Sequence, residues 1–351
     1  MEIMKAVLIE EFGGPEALVL RDVRRPEPGP GEVLVEVAYC GVCRHDLLTR
    51  SGAFPSIALP VILGHQVSGR IAARGSDVGH LVPGQRVMTM IYQSCGACDA
   101  CAKGETARCS TRRPQFLGED FDGGYAQYVV VDAGMIVPLS DEMSLKEAAV
   151  ITCTYGTAFH ALVTRGGARP GQTVLVTGAS GGVGLHLLHL ARHLGIRTIA
   201  VTGSHEKAKL LRDSGASEVL VAQDGKFAAA TKAVNGGVGA DVVIEIVGGS
   251  SLGESIHAVR EGGAIVIVGN IEGQPAMIKP AHFILKEISL IGTKSCTKDE
   301  VSKICSLVGN GSLAIDLHGV FPLEKAAEVH RLMEEGASRG RFVLEVNAAI
   351  N

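Results

Sequence analysis

The chain has no tryptophan, and aromatic residues make up only 4% of it, so they give no picture of how a pocket is lined. Its longest apolar runs are too short to span a bilayer, which excludes a transmembrane helix. No block of like charge stands out. The 33 basic and 37 acidic residues are spread along the chain for a formal net charge of -4, which removes the electrostatic case for nucleic acid or an anionic membrane as partner. Internal repeats, low-complexity stretches and coiled-coil heptads are also missing. Residues 1–11 alternate apolar and charged side chains like a strand and show no charged segment followed by a long apolar core, so the expectation is a cytoplasmic protein.

What the chain has in excess is glycine, 45 residues of 351, beside 46% apolar and 20% charged residues. That composition excludes disorder and implies many tight turns and close backbone approaches, as in a soluble enzyme acting on small molecules. The length exceeds what one hydrophobic core usually organises, so two domains are expected.

Nine cysteines, an odd number with no sign of export, point to a reducing compartment in which thiols stay available for metal. Four of them, Cys95, Cys98, Cys101 and Cys109, follow C-x2-C-x2-C-x7-C. That spacing lets four thiolates close a tetrahedron around one zinc ion; a pair of local disulfides is the alternative. Four protein ligands leave no open coordination position, so this zinc is structural and the chemistry lies elsewhere.

Up to about Val150 the chain reads as short strands, such as Glu32 to Tyr39 and Tyr125 to Val131, punctuated by prolines and glycines: an irregular β-rich domain. From about Gln172 it alternates strand, glycine turn and helix. Strands are expected at Thr173 to Thr177, Thr198 to Thr202, Asp241 to Val247 and Ala264 to Gly269, and helices at Leu185 to Leu194 and Glu206 to Ser214. This is the pattern of a doubly wound parallel sheet, an α/β Rossmann fold. Two surface helices, Lys298 to Val308 and Glu324 to Glu335, precede a last strand, Arg341 to Val346, and this tail is expected to rejoin the first domain.

The stretch VLVTGASGGVG, Val174 to Gly184, sits where a dinucleotide fold turns after its first strand, approaches a pyrophosphate and presents helix N-terminal N–H groups to it. In the G-x-G-x-x-G register Ala179 replaces the first glycine, with Gly181 and Gly184 in the other places and Gly178 one position earlier. Gly178, Gly181, Gly182, Val183 and Gly184 are therefore cofactor-binding candidates, with Gly269 and Asn270 at the end of a later strand. The second strand ends at Thr202 without the acid that would bind the ribose hydroxyls of NAD. Thr202, Gly203, Ser204, His205 and Lys207 offer small, hydroxyl and basic groups suited to a 2′-phosphate, so NADP(H) is expected over NAD(H). Glu206 argues the other way, unless it is a first-turn acid favoured by the helix dipole.

Three further candidate ligands remain: Cys43 in CGVCRHDL, His65 in PVILGHQVSG and Cys153 in ITCTYGTAFHAL. Each alone reads more readily as a small core cysteine or a locally satisfied histidine. Together, upstream of a dinucleotide fold, they make a Cys2His set that leaves a fourth position for water or substrate oxygen.

The segments CGVCRHD, GHQ, the four-cysteine lobe, C-T-Y-G-T and VTGASGGVG resemble, in order and separation, those of the zinc-dependent medium-chain alcohol dehydrogenase family over nearly the whole chain. The resemblance implies a GroES-like catalytic domain over 1–154 with a zinc lobe near 91–112, a Rossmann domain over 155–293 and a returning segment over 294–351. It implies two zinc ions: a reactive one on Cys43, His65 and Cys153, and a structural one on the lobe. Asp46 would partner His65, Thr157 would lie beside the nicotinamide and Arg341 would face the pyrophosphate. A homodimer or homotetramer is implied as well.

Two positions depart from that family. His45 stands where a Ser or Thr commonly begins the proton relay, and Leu48 where a histidine often follows. His45 is thus a candidate to accept the alcohol proton itself, or a solvated loop residue. Gln66 replaces a common Glu, which removes negative charge beside the metal. Ile91, Phe54 and Leu117 are candidates for the pocket lining. The expected reaction is hydride transfer between a nicotinamide cofactor and an alcohol, aldehyde or ketone. A rival comes from VTGSHEKAKLL and ILKEISLIGTKSCTKDE, which look like the acryloyl-coenzyme A reductase branch, where hydride adds to an activated C=C bond. A non-catalytic NADP(H)-binding protein is the remaining alternative.

Overall fold

The computed structural model describes residues 2–271, 273–336 and 339–350. Among them the chain divides into two units, residues 1–153, 296–311 and 317–351 forming the first and 154–295 with 312–316 the second.

In the first unit the strand Glu32–Val42 is the spine: all its residues except Glu32 and Glu36 are buried. It pairs antiparallel with Val67–Arg74, with Tyr128–Asp132 and with Arg341–Glu345. The C-terminal strand is thereby built into the β-rich unit. Arg86–Thr89 and Ile136–Pro138 extend the sheet on one side and Leu317–Pro322 on the other. A smaller sheet joins Ile3–Ile9 to Leu18–Arg24 and Val61–Ile62. The helix Arg44–Arg50 starts directly off the spine strand with Cys43 as its N-cap. Cys153 lies in the widened π turn Thr152–Gly156 that continues the buried helix Leu145–Ile151, an irregularity common where a helix must aim a functional side chain.

The second unit is a six-stranded, all-parallel sheet. Its spatial order is Glu218–Val221, Arg197–Thr202, Thr173–Val176, Ala240–Glu245, Val259–Ile267 and Ser289–Gly292. That is the doubly wound order, whose direction reverses between Thr173–Val176 and Ala240–Glu245, the place where such sheets bind ligands. The helices Gly182–His193 and His205–Asp213 follow the first two strands, starting earlier than their apolar periodicity shows because glycine and polar residues open them. Residues 312–316 depart from the expected boundary. Tyr155 Oη donates to Ala314 O at 2.6 Å and His189 Nε2 lies 2.8 Å from Asp316 Oδ2, which ties this stretch to the second unit. No helix among the described residues is long and apolar enough to cross a membrane.

Candidate active site

Cys43, His65 and Cys153, 110 residues apart at the extremes, present one sulfur or nitrogen atom each, all within 4.8 Å of one another. The helix N-terminus explains how Cys43 is held. Asp46, one turn on, accepts the Cys43 N–H with Oδ2 at 2.7 Å, and its Oδ1 lies 2.9 Å from His65 Nδ1. A carboxylate at Nδ1 keeps the proton on that nitrogen and leaves Nε2 as the metal ligand. Both side chains are buried, so the carboxylate has little water to satisfy it otherwise. Burial opposes a charge on His65, yet Asp46 overcomes it and holds the imidazole up to about 10.

The two thiols lie 3.5 Å apart, far beyond a disulfide and close to the ~3.8 Å edge of a tetrahedron with Zn–S bonds of about 2.3 Å. Through its hydrogen bond with Cys153, Cys43 is pushed well below the usual thiol range while Cys153 is pushed well above it. Arg341 sits here: its Nη1 donates to Val42 O at 3.3 Å and its Nη2 to Cys153 O at 3.1 Å, with Cys153 Sγ at 3.7 Å. Gln66 is buried beside His65, and neither of its amide atoms has a hydrogen-bond partner. The donor set fits zinc: two soft thiolates and one imidazole with its tautomer fixed make three ligands of a four-coordinate site.

His45 projects next to this set. Its ring lies 5.7 Å from that of His65 in an edge-on contact and is sandwiched between Phe116 at 4.6 Å and Phe54 at 5.0 Å. Glu119, which sequence reasoning missed, places Oε1 2.7 Å from His45 Nε2 and accepts from Thr49 Oγ1 at 2.6 Å. Burial works against the Glu119 charge, but the hydrogen bonds from His45 and Thr49 hold its carboxyl below the usual range. Of the pocket candidates, Phe54 stacks on His45, whereas Leu117 is fully buried in the core.

The lobe cysteines also converge. All four sulfurs lie within 4.8 Å of one another, with 3.5 Å between Cys98 and Cys101, 3.8 Å between Cys95 and Cys101 and 3.9 Å between Cys98 and Cys109. These separations match a ZnS4 tetrahedron, and all nine cysteines are free, so the disulfide alternative falls. A hydrogen bond from Ser110 pushes Cys98 down to about 5, which favours the thiolate that a metal needs.

In the second unit a cleft of about 380 Å³ opens at the end of the sheet where the strand order reverses. Gly178, Thr202, Gly203, Ser204 and Lys207 line it, together with Thr177, Ser180, Val247, Ser250 and Ser251, and no lining residue is acidic. Gly178 has φ +58, a conformation that favours glycine. At Gly184 an added Cβ would come within 2.5 Å of Ala179 O, so only glycine lets the helix close on the turn. Gly269 has a similar packing reason, with Ile246 O at 2.4 Å from an added Cβ. Gly181 is the helix N-cap, Gly182, Val183 and Gly184 form the first turn, and His205 opens the next helix. Asn270 O accepts from Gly273 N at 3.2 Å, while Thr157 begins the short helix Thr157–Phe159. Glu245 fixes the far wall of the cleft. Fully buried, it accepts from Thr177 Oγ1, the N–H groups of Val247 and Gly248, and the hydroxyls of Ser251 and Ser255. A carboxylate so supplied with donors is stable without a cation.

The comparisons with known proteins agree with this architecture. Residues 29–141 match the family model for the alcohol dehydrogenase GroES-like domain, and residues 182–310 match that for zinc-binding dehydrogenase. The chain is 33% identical to an acryloyl-coenzyme A reductase of Metallosphaera sedula, over 97% of its own length and 99% of the relative's. It is 34% identical to an alcohol dehydrogenase of Geobacillus stearothermophilus, over 98% of this chain and all of that one. The solved structure of AibC superposes with a TM-score of 0.92 at 38% identity, covering 98% of this chain and 96% of that one. Likeness of this extent, across both units, makes the chain an oxidoreductase of the medium-chain dehydrogenase/reductase superfamily, to which the alcohol dehydrogenases belong.

Proposed function

We propose that this protein transfers a hydride between NADP(H) and an alcohol or carbonyl compound, with one zinc ion on Cys43, His65 and Cys153 and a second on the four-cysteine lobe. The observation that carries this reading is the convergence of three donors within 4.8 Å, with the Nδ1 of the single imidazole already taken by Asp46. Zinc, when bound, supplies Lewis-acid polarisation of a substrate oxygen. The chain's own residues do the rest. His45, beside the ligand set and one-third exposed, takes the hydroxyl proton in oxidation and returns it in reduction. A nicotinamide held in the cleft would supply the hydride acceptor, so that the proton on His45 and the hydride together account for the two hydrogens removed from the alcohol. Thr202, Ser204 and Lys207 would hold the 2′-phosphate, an assignment supported by a cleft without acidic lining. Exposed Met277, Ile284 and Leu285 support a homodimer or homotetramer, and the proposed setting is the cytoplasm.

A second reading is supported by the full-length likeness to an acryloyl-coenzyme A reductase. On that reading a bound reduced nicotinamide would supply hydride to the β-carbon of an enoyl thioester, with a proton added at the α-carbon, and no Lewis acid would be needed. The deciding experiment assays ketones, aldehydes and enoyl thioesters with NADPH and NADH, before and after chelation. Carbonyl reduction lost with the metal is the expected result. Turnover of thioesters alone, unchanged by chelation, overturns the alcohol or carbonyl reading in favour of the second.

A further inference from the structure

We infer that Glu119 is the positioning residue of the site, setting the ring orientation and tautomer of His45; this rests on the reading of His45 as the proton-handling group. The loop that carries Glu119 is closely braced. Phe116 N donates to Asp120 Oδ2 at 2.7 Å, Asp120 N to Phe116 O at 2.9 Å and Gly118 N to Phe121 O at 2.9 Å. Gly118 has φ +83, and a Cβ there would lie 2.9 Å from Gly64 N, so glycine lets the loop press against the backbone just before His65. A carboxylate on such a loop has a fixed address.

Its partner is equally confined. Phe54 and Phe116 hold the His45 ring between them at interplanar angles of 25° and 26°, which removes tilt but leaves rotation within the plane open. The contact from Glu119 Oε1 to Nε2, at 2.7 Å, selects one rotation. A carboxylate can only accept, so a neutral imidazole in this place carries its proton on Nε2 and keeps Nδ1 as the basic nitrogen. Thr49 lies one helical turn after His45 and ties the same oxygen, Oε1, to the helix that bears the histidine. Carboxylate, hydroxyl and imidazole thus form one unit. With the Glu119 side chain only 13% exposed, water competes weakly for it.

Because a single oxygen takes both hydrogen bonds, glutamine can reproduce them and alanine cannot. The test uses the zinc-loaded protein with Glu119→Gln and Glu119→Ala, labelled with 15N-histidine for NMR and assayed in parallel. The spectrum should show the Nε2–H tautomer of His45 in the wild type and in Glu119→Gln, and a tautomer mixture in Glu119→Ala. Turnover should fall roughly 10- to 100-fold in Glu119→Ala, with zinc content and the KM for cofactor unchanged, and recover most of its value in Glu119→Gln. A His45 spectrum unaltered by Glu119→Ala overturns the inference whatever the kinetics. A silent His45→Ala, with the spectral change present, instead removes the proton role of His45 and leaves the Glu119–His45 coupling standing.

Discussion

Asp46 divides its carboxylate between two ligands of one candidate metal site: Oδ2 takes the backbone N–H of Cys43 and Oδ1 meets Nδ1 of His65. The same side chain therefore sets where the helix begins and which nitrogen of the histidine is left free to ligate a metal. Because Cys43 is the N-cap, moving Asp46 moves a ligand sulfur and a ligand nitrogen together.

Asp46→Asn tests that coupling. Asparagine keeps one acceptor oxygen for two donors, so either the Cys43 turn or the His65 tautomer loses its partner. We expect the affinity for the zinc on Cys43, His65 and Cys153 to fall roughly 10- to 100-fold, with the lobe zinc retained. Competition with a graded series of chelators, counting zinc per chain, reads both sites at once. Unchanged affinity at both would show that Asp46 serves only the helix.

The lobe makes the opposite demand, stability without chemistry. Cys98→Ser removes one of four thiolates from a stretch whose only regular elements are Asp99–Ala102, Thr106–Arg108 and the two-residue strands that close it. So short a segment buries too little to hold its shape without metal. Zinc content should drop from about two to about one per chain and the melting temperature should fall by several degrees. The measurement is metal analysis beside a thermal melt. A variant that keeps two zinc ions and its melting temperature would remove the lobe from the list of metal sites.

The proposed preference for NADP(H) is tested at Lys207, which lines the cleft beside Thr202, Gly203 and Ser204. Its ammonium would meet a 2′-phosphate in a charge-assisted contact that NAD(H) cannot make. Lys207→Ala should therefore raise the KM for NADP(H) roughly 10-fold and leave that for NAD(H) within about two-fold. Equal loss with both cofactors would point to a general electrostatic role.

Most of this arrangement is legible in the chain before any coordinates. Four strands of the parallel sheet are visible as short apolar runs that lead into glycine, while the edge strands Glu218–Val221 and Ser289–Gly292 are not, and the lobe is visible because its ligands are neighbours in sequence. Glu119 is not, since it lies 74 residues from His45 in an irregular loop where a lone acid looks like any solvated one. Arg341 shows a different limit. The family resemblance alone implies a place beside the pyrophosphate for it, and its donation to Cys153 O follows from the pairing of its strand with Glu32–Val42, which no local pattern shows. Glu206 turns out to be a first-turn acid of its helix and does not line the cleft, which the helix start at His205 decides.

A buried cluster that adjoins Asp46 through Tyr125 gives a prediction in pH. His330 is fully buried; its Nδ1 lies 3.4 Å from Arg50 Nη1 and its Nε2 3.1 Å from Tyr125 Oη. The guanidinium can only donate, so Nδ1 accepts and Nε2 carries the proton, which fixes a neutral imidazole. Desolvation pushes its pKa down from 6.5 to about 3; the Asp46 charge opposes this and the Arg50 charge adds to it. The sign follows: the folded pKa is depressed, so the unfolded chain binds the extra proton, and stability present above pH 6.5 is lost progressively as the pH falls toward 3. At pH 5 unfolding should take up about one proton through this residue. His330→Gln cannot titrate, so calorimetric unfolding in buffers of different ionisation heat should show about one proton fewer taken up at pH 5 than in the wild type. At pH 8, where neither state of His330 is protonated, the two proteins should show the same uptake. Equal uptake at pH 5 as well would mean that His330 is already protonated in the folded protein, and that the tautomer imposed by Arg50 is not the one present.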